Sequence, residues 1–244
     1  MQVILHKKEQ FKEALAHYKP SVESLSILND VQLLILQGIT SSGRNTIIDK
    51  LVELGEYQQI VSDTTRPPKV RDGAMEQNGV QYYFRSEDEV LADILAGKYL
   101  EAELIHDQQV SGISIRELQR VNDSNKISVN EVAREGVENI RALKPDTIFV
   151  FVIPPNYDEW MKRLTARETM TPEELRNRTE SAVLEIREAL SKPYFHFVVN
   201  DELSTAVRDV DEIAQQKVEP EAGEEDRAVA EQLLASIEQH LSTH

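Results

Sequence analysis

The run Leu33-Leu34-Ile35-Leu36-Gln37-Gly38-Ile39-Thr40-Ser41-Ser42-Gly43-Arg44-Asn45-Thr46 constrains the fold more than any other part of the chain. An apolar segment suited to a buried strand feeds a loop bounded by Gly38 and Gly43, and a helix-like segment, 46–54, follows. This strand–loop–helix order is the context of the phosphate-binding pattern G-x-x-x-x-G-K-[S/T], in which backbone N–H groups and the helix N-terminus cradle phosphates. Two positions depart from the pattern: Arg44 stands where the lysine belongs and Asn45 where the serine or threonine belongs. The guanidinium keeps the cation but is larger and planar. An amide oxygen at Asn45 can ligate Mg²⁺ but is longer than a hydroxyl, and Thr46 follows one position late.

The alternation continues beyond this loop. Strand candidates at 32–37, 100–103, 127–129, 148–153 and 195–199 are separated by helices with readable starts. Capping boxes stand at Ser86/Glu89, Ser114/Glu117 and Asn156/Glu159, and Thr171-Pro172-Glu173-Glu174 places a proline at a first helical position. The pattern predicts an α/β, P-loop three-layer fold with a mostly parallel sheet of about five strands. Residues 1–30 form a helical extension with Phe11, Ala14, Leu15 and Tyr18 on one face. Residues 31–216 form the main domain. Residues 217–244 form an acidic linker and an amphipathic helix carrying Val229, Leu233, Leu234, Ile237 and Leu241. The two terminal helices are candidate surfaces for a protein partner. Docking of their apolar stripes onto the chain itself is the alternative, and the usual fate of such a face.

With 244 residues and a net charge of −16, the chain has no general attraction for nucleic acid or an anionic membrane. An anionic ligand must therefore be met by local clusters of arginine. The absence of cysteine excludes disulfides and thiolate chemistry and points to a cytoplasmic location. The longest apolar runs are strand-sized, so no membrane span is expected.

Three such cationic regions can be read. Arg66 and Lys69 flank Pro67-Pro68, whose stiff backbone can present two cations to one phosphate, with Tyr82 as a further hydroxyl donor. Arg66 is expected to lie exposed in a cleft, contributing little to stability. Arg163, Arg167 and Arg178 are spaced along two helices joined by residues 168–172, three cations on neighbouring helices that could face one anionic group. The alternative for these arginines is i,i+4 pairing, Arg163 with Glu159 and Arg178 with Glu174. Arg44 is the third region.

Taken in order, these segments resemble the guanylate kinase family of P-loop nucleoside monophosphate kinases over residues 31–216. Ser62-Asp63-Thr64-Thr65-Arg66-Pro67-Pro68-Lys69 looks like the family's S-x-T-T-R-x-P-R, Asn78-Gly79-Val80-Gln81-Tyr82-Tyr83-Phe84 like its G-x-x-Y-x-F, Lys98-Tyr99-Leu100-Glu101 like its F-L/I-E segment, and Val198-Val199-Asn200-Asp201 like its V-V-N-D. The resemblance implies ATP-dependent phosphorylation of a nucleoside monophosphate, GMP to GDP, with Mg²⁺ carried by ATP. It implies a small monophosphate-binding insertion at 62–114 and a lid at 157–180. ATP falls to Gly38, Ser41, Ser42, Gly43, Arg44, Asn45, Thr46, Arg163 and Asn200, with Asn45 and Thr46 nearest the metal. The monophosphate falls to Ser62, Arg66, Lys69, Tyr82, Glu101 and Glu131, with Glu101 accepting from the guanine edge. Arg44, Arg167 and Arg178 take the catalytic roles. Its partners are then small-molecule nucleotides.

Besides the loop, two segments depart from the family. Its N-Y-Y-G-T reads Gln108-Gln109-Val110-Ser111-Gly112-Ile113, without tyrosine, and its D-I-D reads Glu131-Val132-Ala133, without the second carboxylate. A catalytically inactive nucleotide-binding or protein-interaction module of the same fold is the alternative reading.

Overall fold

The computed structural model describes residues 5–71, 73–105, 107–132, 134–167, 170–216 and 223–243. Helices α1 (Lys8–Ala16) and α2 (Val22–Asp30) precede β1 (Leu33–Gly38) and α3 (Arg44–Glu53). Short strands follow: β2 (Tyr57–Gln59), β3 (Asp63–Thr64), β4 (Val70–Arg71), β5 (Ala74–Met75) and β6 (Tyr83–Phe84). Next come α4 (Glu87–Leu95), β7 (Tyr99–Ile105), β8 (Gln109–Ser114), α5 (Ile115–Asn122), β9 (Ile127–Glu131) and α6 (Arg134–Leu143). The chain ends with β10 (Ile148–Ile153), α7 (Tyr157–Arg167), α8 (Pro172–Ser191), β11 (Phe195–Val199), α9 (Leu203–Ala214) and α10 (Glu224–Thr243). Ala133, the linker residues 217–222 and the lid residues 168 and 169 lie outside the described residues, as does the side chain of Arg167.

The chain divides into two units. One comprises Met1–Gln32, Gln58–Ser128 and Glu135–Asp146; the other comprises Leu33–Tyr57, Val129–Arg134 and Thr147–His244. A five-stranded sheet runs in the order β11-β10-β1-β9-β2, with the division passing through β9 and β2. β1 pairs with β10 and β10 with β11, both parallel. Every residue of β1 is buried, as is all of β10 after Ile148, which is why these strands read as unbroken apolar runs rather than alternating ones. α3 closes this part of the core with Ile47, Ile48 and Leu51.

The first unit holds a second sheet, ordered β6-β3-β8-β7, and the small hairpin β4-β5. The predicted strand at 100–103 belongs here and not to the parallel sheet, because the chain turns back after Ile105 and β8 pairs antiparallel with β7. A connection this short permits only antiparallel pairing. The fifth strand of the main sheet is supplied instead by β2, a three-residue segment too polar to stand out in the sequence.

Both terminal helices bury their apolar faces within the chain. Phe11 of α1 joins Leu5, Val90, Ile94, Tyr99 and Val110 in one cluster, with Ala14, Leu15 and Tyr18 packed against it. The Tyr18 hydroxyl accepts from the Tyr99 N–H (2.7 Å) and donates to the Tyr99 carbonyl (2.5 Å). Ala230, Leu233 and Ile237 of α10 are buried, and α10 packs on α8, β11 and α7. Among the described residues no helix is long and apolar enough to cross a membrane.

Candidate active site

In the second unit the glycine-bounded loop is fixed by close approach. Gly38 has φ +151°, and a Cβ there would lie 2.2 Å from the Val152 carbonyl oxygen; Gly43 has φ +97°, and its Cβ would lie 2.2 Å from Asn200 Nδ2. Asn200 holds the loop from outside: Nδ2 donates to the Ser42 carbonyl (2.8 Å) and its own carbonyl accepts from Arg163 Nη1 (2.8 Å). Trp160 Nε1 donates to the Thr40 carbonyl (2.9 Å). Thus Asn200, after β11, and Trp160 and Arg163 of α7 serve as struts for the loop.

The interior of the loop is set out for an anion. The Ser41 and Ser42 hydroxyls are buried and, among the described residues, have no hydrogen-bond partner. Helix α3 begins at Arg44 with no side-chain cap, so its first-turn N–H groups are not claimed by a capping side chain. Arg44 Nε stands 3.7 Å from Glu131 Oε2, an ion pair joining the loop to the end of β9. Asn45 and Thr46 are exposed on the first turn of α3.

In the first unit Arg66 is buried, contrary to the expectation of an exposed cleft arginine. Its guanidinium is clasped by Glu76, Nη1 to Oε2 at 2.5 Å and Nη2 to Oε1 at 2.9 Å, and lies 4.8 Å from the Tyr82 ring centroid and 5.6 Å from that of Phe84. Glu76 Oε2 also accepts from the Lys69 N–H (2.9 Å), leaving the Lys69 side chain exposed. A second cluster centres on Asp63, which is 1% exposed. Its carboxylate accepts from Tyr99 Oη (2.8 Å), Arg85 Nη1 (3.1 Å) and Arg116 Nη2 (2.9 Å). Ser62 is half-buried, and its carbonyl receives the Tyr83 N–H (2.9 Å). Half-buried Glu101 sits on β7, its carboxyl pushed up to about 7 by burial, with the charge of Glu103 adding and a backbone bond to Ile113 opposing.

Comparison with known proteins gives a consistent result. The guanylate kinase family model matches residues 30–217. The chain belongs to the guanylate kinase family. It is 36% identical over 177 residues to a guanylate kinase of Nocardia farcinica, covering 72% of this chain and 89% of that one. It is 34% identical over 175 residues to guanylate kinase 1 of rice (Oryza sativa subsp. japonica), covering 70% of this chain. The match spans 44% of the length of that rice relative and 43% of the corresponding protein of Arabidopsis thaliana. The crystal structure of a guanylate kinase from Anaplasma phagocytophilum shares the fold, with a TM-score of 0.55 at 20% identity over 77% of this chain and 86% of that one.

Against the guanylate kinase motifs, the structure gathers Gly38, Ser41, Ser42, Gly43, Arg44, Arg163 and Asn200 into one loop and its supports. It places Glu131 beside Arg44. Arg163 makes the i,i+4 bond weighed as its alternative, to Glu159 Oε1 at 2.9 Å, together with a bond to Asn200. Arg178 lies exposed on α8 one turn from Glu174, whose carboxyl is held below its usual range by the Thr171 backbone and hydroxyl and, in lesser part, by Arg178. Motif reading missed Glu76 and the Asp63–Arg85–Arg116 cluster. Neither has a local sequence signal: Glu76 meets Arg66 across the β4-β5 hairpin, while Asp63 meets Arg85 through the parallel pairing of β3 with β6 and Arg116 through the antiparallel pairing of β3 with β8.

Proposed function

We propose that this chain transfers the γ-phosphoryl group of ATP to GMP, giving ADP and GDP. The observation that carries the proposal is the phosphate loop of the second unit. Two buried hydroxyls, Ser41 and Ser42, face no partner among the described residues, beside an uncapped helix N-terminus and the cation of Arg44. Such a loop is suited to the β- and γ-phosphates of ATP. The first unit supplies the acceptor side: Arg66, set by Glu76 and stacked near Tyr82, with Lys69 and Ser62 for the phosphate and Glu101 for the base.

In the transfer, an oxygen of the GMP phosphate bonds to the γ-phosphorus as the bond to the bridging oxygen of ADP breaks. No side chain becomes covalently attached. The protein supplies position and positive charge for the equatorial oxygens, which falls to Arg44, Arg167 and Arg178. Arg163 acts through Asn200 to hold the loop.

The residues also fit a magnesium ion carried by ATP. Mg²⁺ keeps most of its waters and asks a protein for one or two oxygen donors beside the phosphates. Asn45 and Thr46, exposed where α3 begins, would hold it, and Arg44 and Glu131 stand close by. When bound, the ion neutralises charge building between the β- and γ-phosphates. The small nucleotides suffice as partners, since both terminal helices bury their apolar faces. The acidic, cysteine-free chain suits a cytoplasmic location without nucleic-acid binding.

Calorimetric titration with GMP, AMP, UMP and dTMP, each with and without ATP and Mg²⁺, tests the acceptor assignment. GMP should bind most tightly and be the one converted to its diphosphate. Equal affinity for all four would contradict it. So would binding of GMP and ATP without conversion, the behaviour of an inactive module.

A further inference from the structure

Helix α10 lies beyond the family-matched residues 30–217, yet its first turn reaches the segment that supports the phosphate loop. β11 is an edge strand, and the N–H of Asn200 points to β10, donating to the Ile153 carbonyl at 2.8 Å. The preceding N–H, that of Val199, therefore faces the outer edge, where a strand end has no sheet partner. Asp226 closes it: Oδ2 accepts from the Val199 N–H at 3.3 Å. Arg227 lies with its guanidinium 5.3 Å from the Phe197 ring centroid and donates through Nη2 to the Leu190 carbonyl near the end of α8. Two consecutive residues of α10 thus pin both the backbone and a side chain of β11.

One residue beyond Val199 is Asn200, whose three bonds reach Ile153, Ser42 and Arg163. The space it occupies is so tight that Gly43 has no room for a Cβ. A displacement of the β11 end is therefore passed to the Ser42 carbonyl and the loop. We propose that Asp226 and Arg227 are positioning residues for the ATP side of the site, fixing β11 and, through Asn200, the phosphate loop. The inference rests on the reading of that loop as the ATP site.

Its test uses the full chain carrying Asp226→Ala, Arg227→Ala or Asp226→Asn. As a control, Arg187→Ala removes the 2.5 Å pair with Glu238 further along α10 without touching β11. ATP affinity by titration calorimetry and the KM for ATP should weaken about three- to tenfold in the two β11-facing alanine variants, since small misplacements of a binding group are costly. GMP affinity should stay at the wild-type value. Asp226→Asn keeps an acceptor oxygen and should retain ATP affinity, and Arg187→Ala, which removes an exposed pair on the same helix, should leave ATP affinity at the wild-type value. Unchanged ATP affinity in both alanine variants would overturn the proposal, as would an equal loss for ATP and GMP. If the wild-type chain binds ATP but forms no GDP, the kinase reading fails while the ATP titrations still decide this one. A wild-type chain that binds no ATP overturns both.

Discussion

Glu101 carries a conflict within one side chain. Reading the donors of a guanine edge requires an ionised carboxylate, but burial raises this group from 4.5 to about 7. GMP affinity should therefore rise as pH climbs from about 6 to about 8, levelling once the carboxylate is ionised. Stability should move the other way. Between 4.5 and about 7 the folded chain holds a proton that the unfolded chain has lost, so the contribution of Glu101 falls as pH rises through that window. GMP titrations across the window, with Glu101→Gln as reference, check this; equal pH slopes in both proteins would remove Glu101 from the base site. Arg66 raises a different question. Its removal leaves Glu76 buried without its bidentate partner, and losing one partner of a buried pair costs ~3–5 kcal/mol. Urea unfolding of Arg66→Ala should show a loss of that order, and a loss below ~1 kcal/mol would mean that Glu76 finds other donors. The cation at Arg66 was legible in the sequence; its burial was not, because the carboxylate that clasps it lies beyond a hairpin.

At the scale of elements, what was legible followed burial. β1 and β10 are covered on both faces and so read as apolar runs; the Ser86/Glu89 capping box forms, and the helix start read at Thr171-Pro172 is closed by a further box between Thr171 and Glu174. Ser114 caps α5 as expected, but Glu117 does not reach back. It is 1% exposed and accepts instead from the Val61 N–H (3.0 Å) and Arg120. Short polar strands such as β2 are stabilised by neighbours distant in sequence, so no local pattern marks them. The loop glycines were legible as a pattern, and the structure supplies the reason. Gly43→Ala would combine left-handed strain of about 1–2 kcal/mol with a contact that dislodges Asn200 from Ser42. ATP affinity should fall at least about tenfold, about 1.4 kcal/mol of binding, with GMP affinity preserved. Unchanged ATP binding in that variant would mean that the Asn200 strut does not govern the loop.

At the scale of the whole molecule, a net charge of −16 makes every cationic cluster a local exception. An acidic chain presents general repulsion to a triphosphate, so on the proposed reading the attraction must come from local groups: Arg44, the arginines of α7 and α8, and the backbone N–H groups where α3 begins. On that reading, the loop bearing Arg44 and Asn45 supports phosphoryl transfer despite its departure from the family pattern. The most direct test is GDP formation from GMP and Mg-ATP by purified wild-type chain, Arg44→Ala, and the double variant Arg44→Lys with Asn45→Ser, assayed side by side. Wild-type transfer should stand clearly above background, and Arg44→Ala should lower it by about 10²-fold or more, the scale of losing one charge-stabilising group. The double variant should be at least as active as wild type, since it restores a compact ammonium and a metal-binding hydroxyl. No transfer by the wild-type chain, or transfer by Arg44→Ala at the wild-type rate, would contradict the claim.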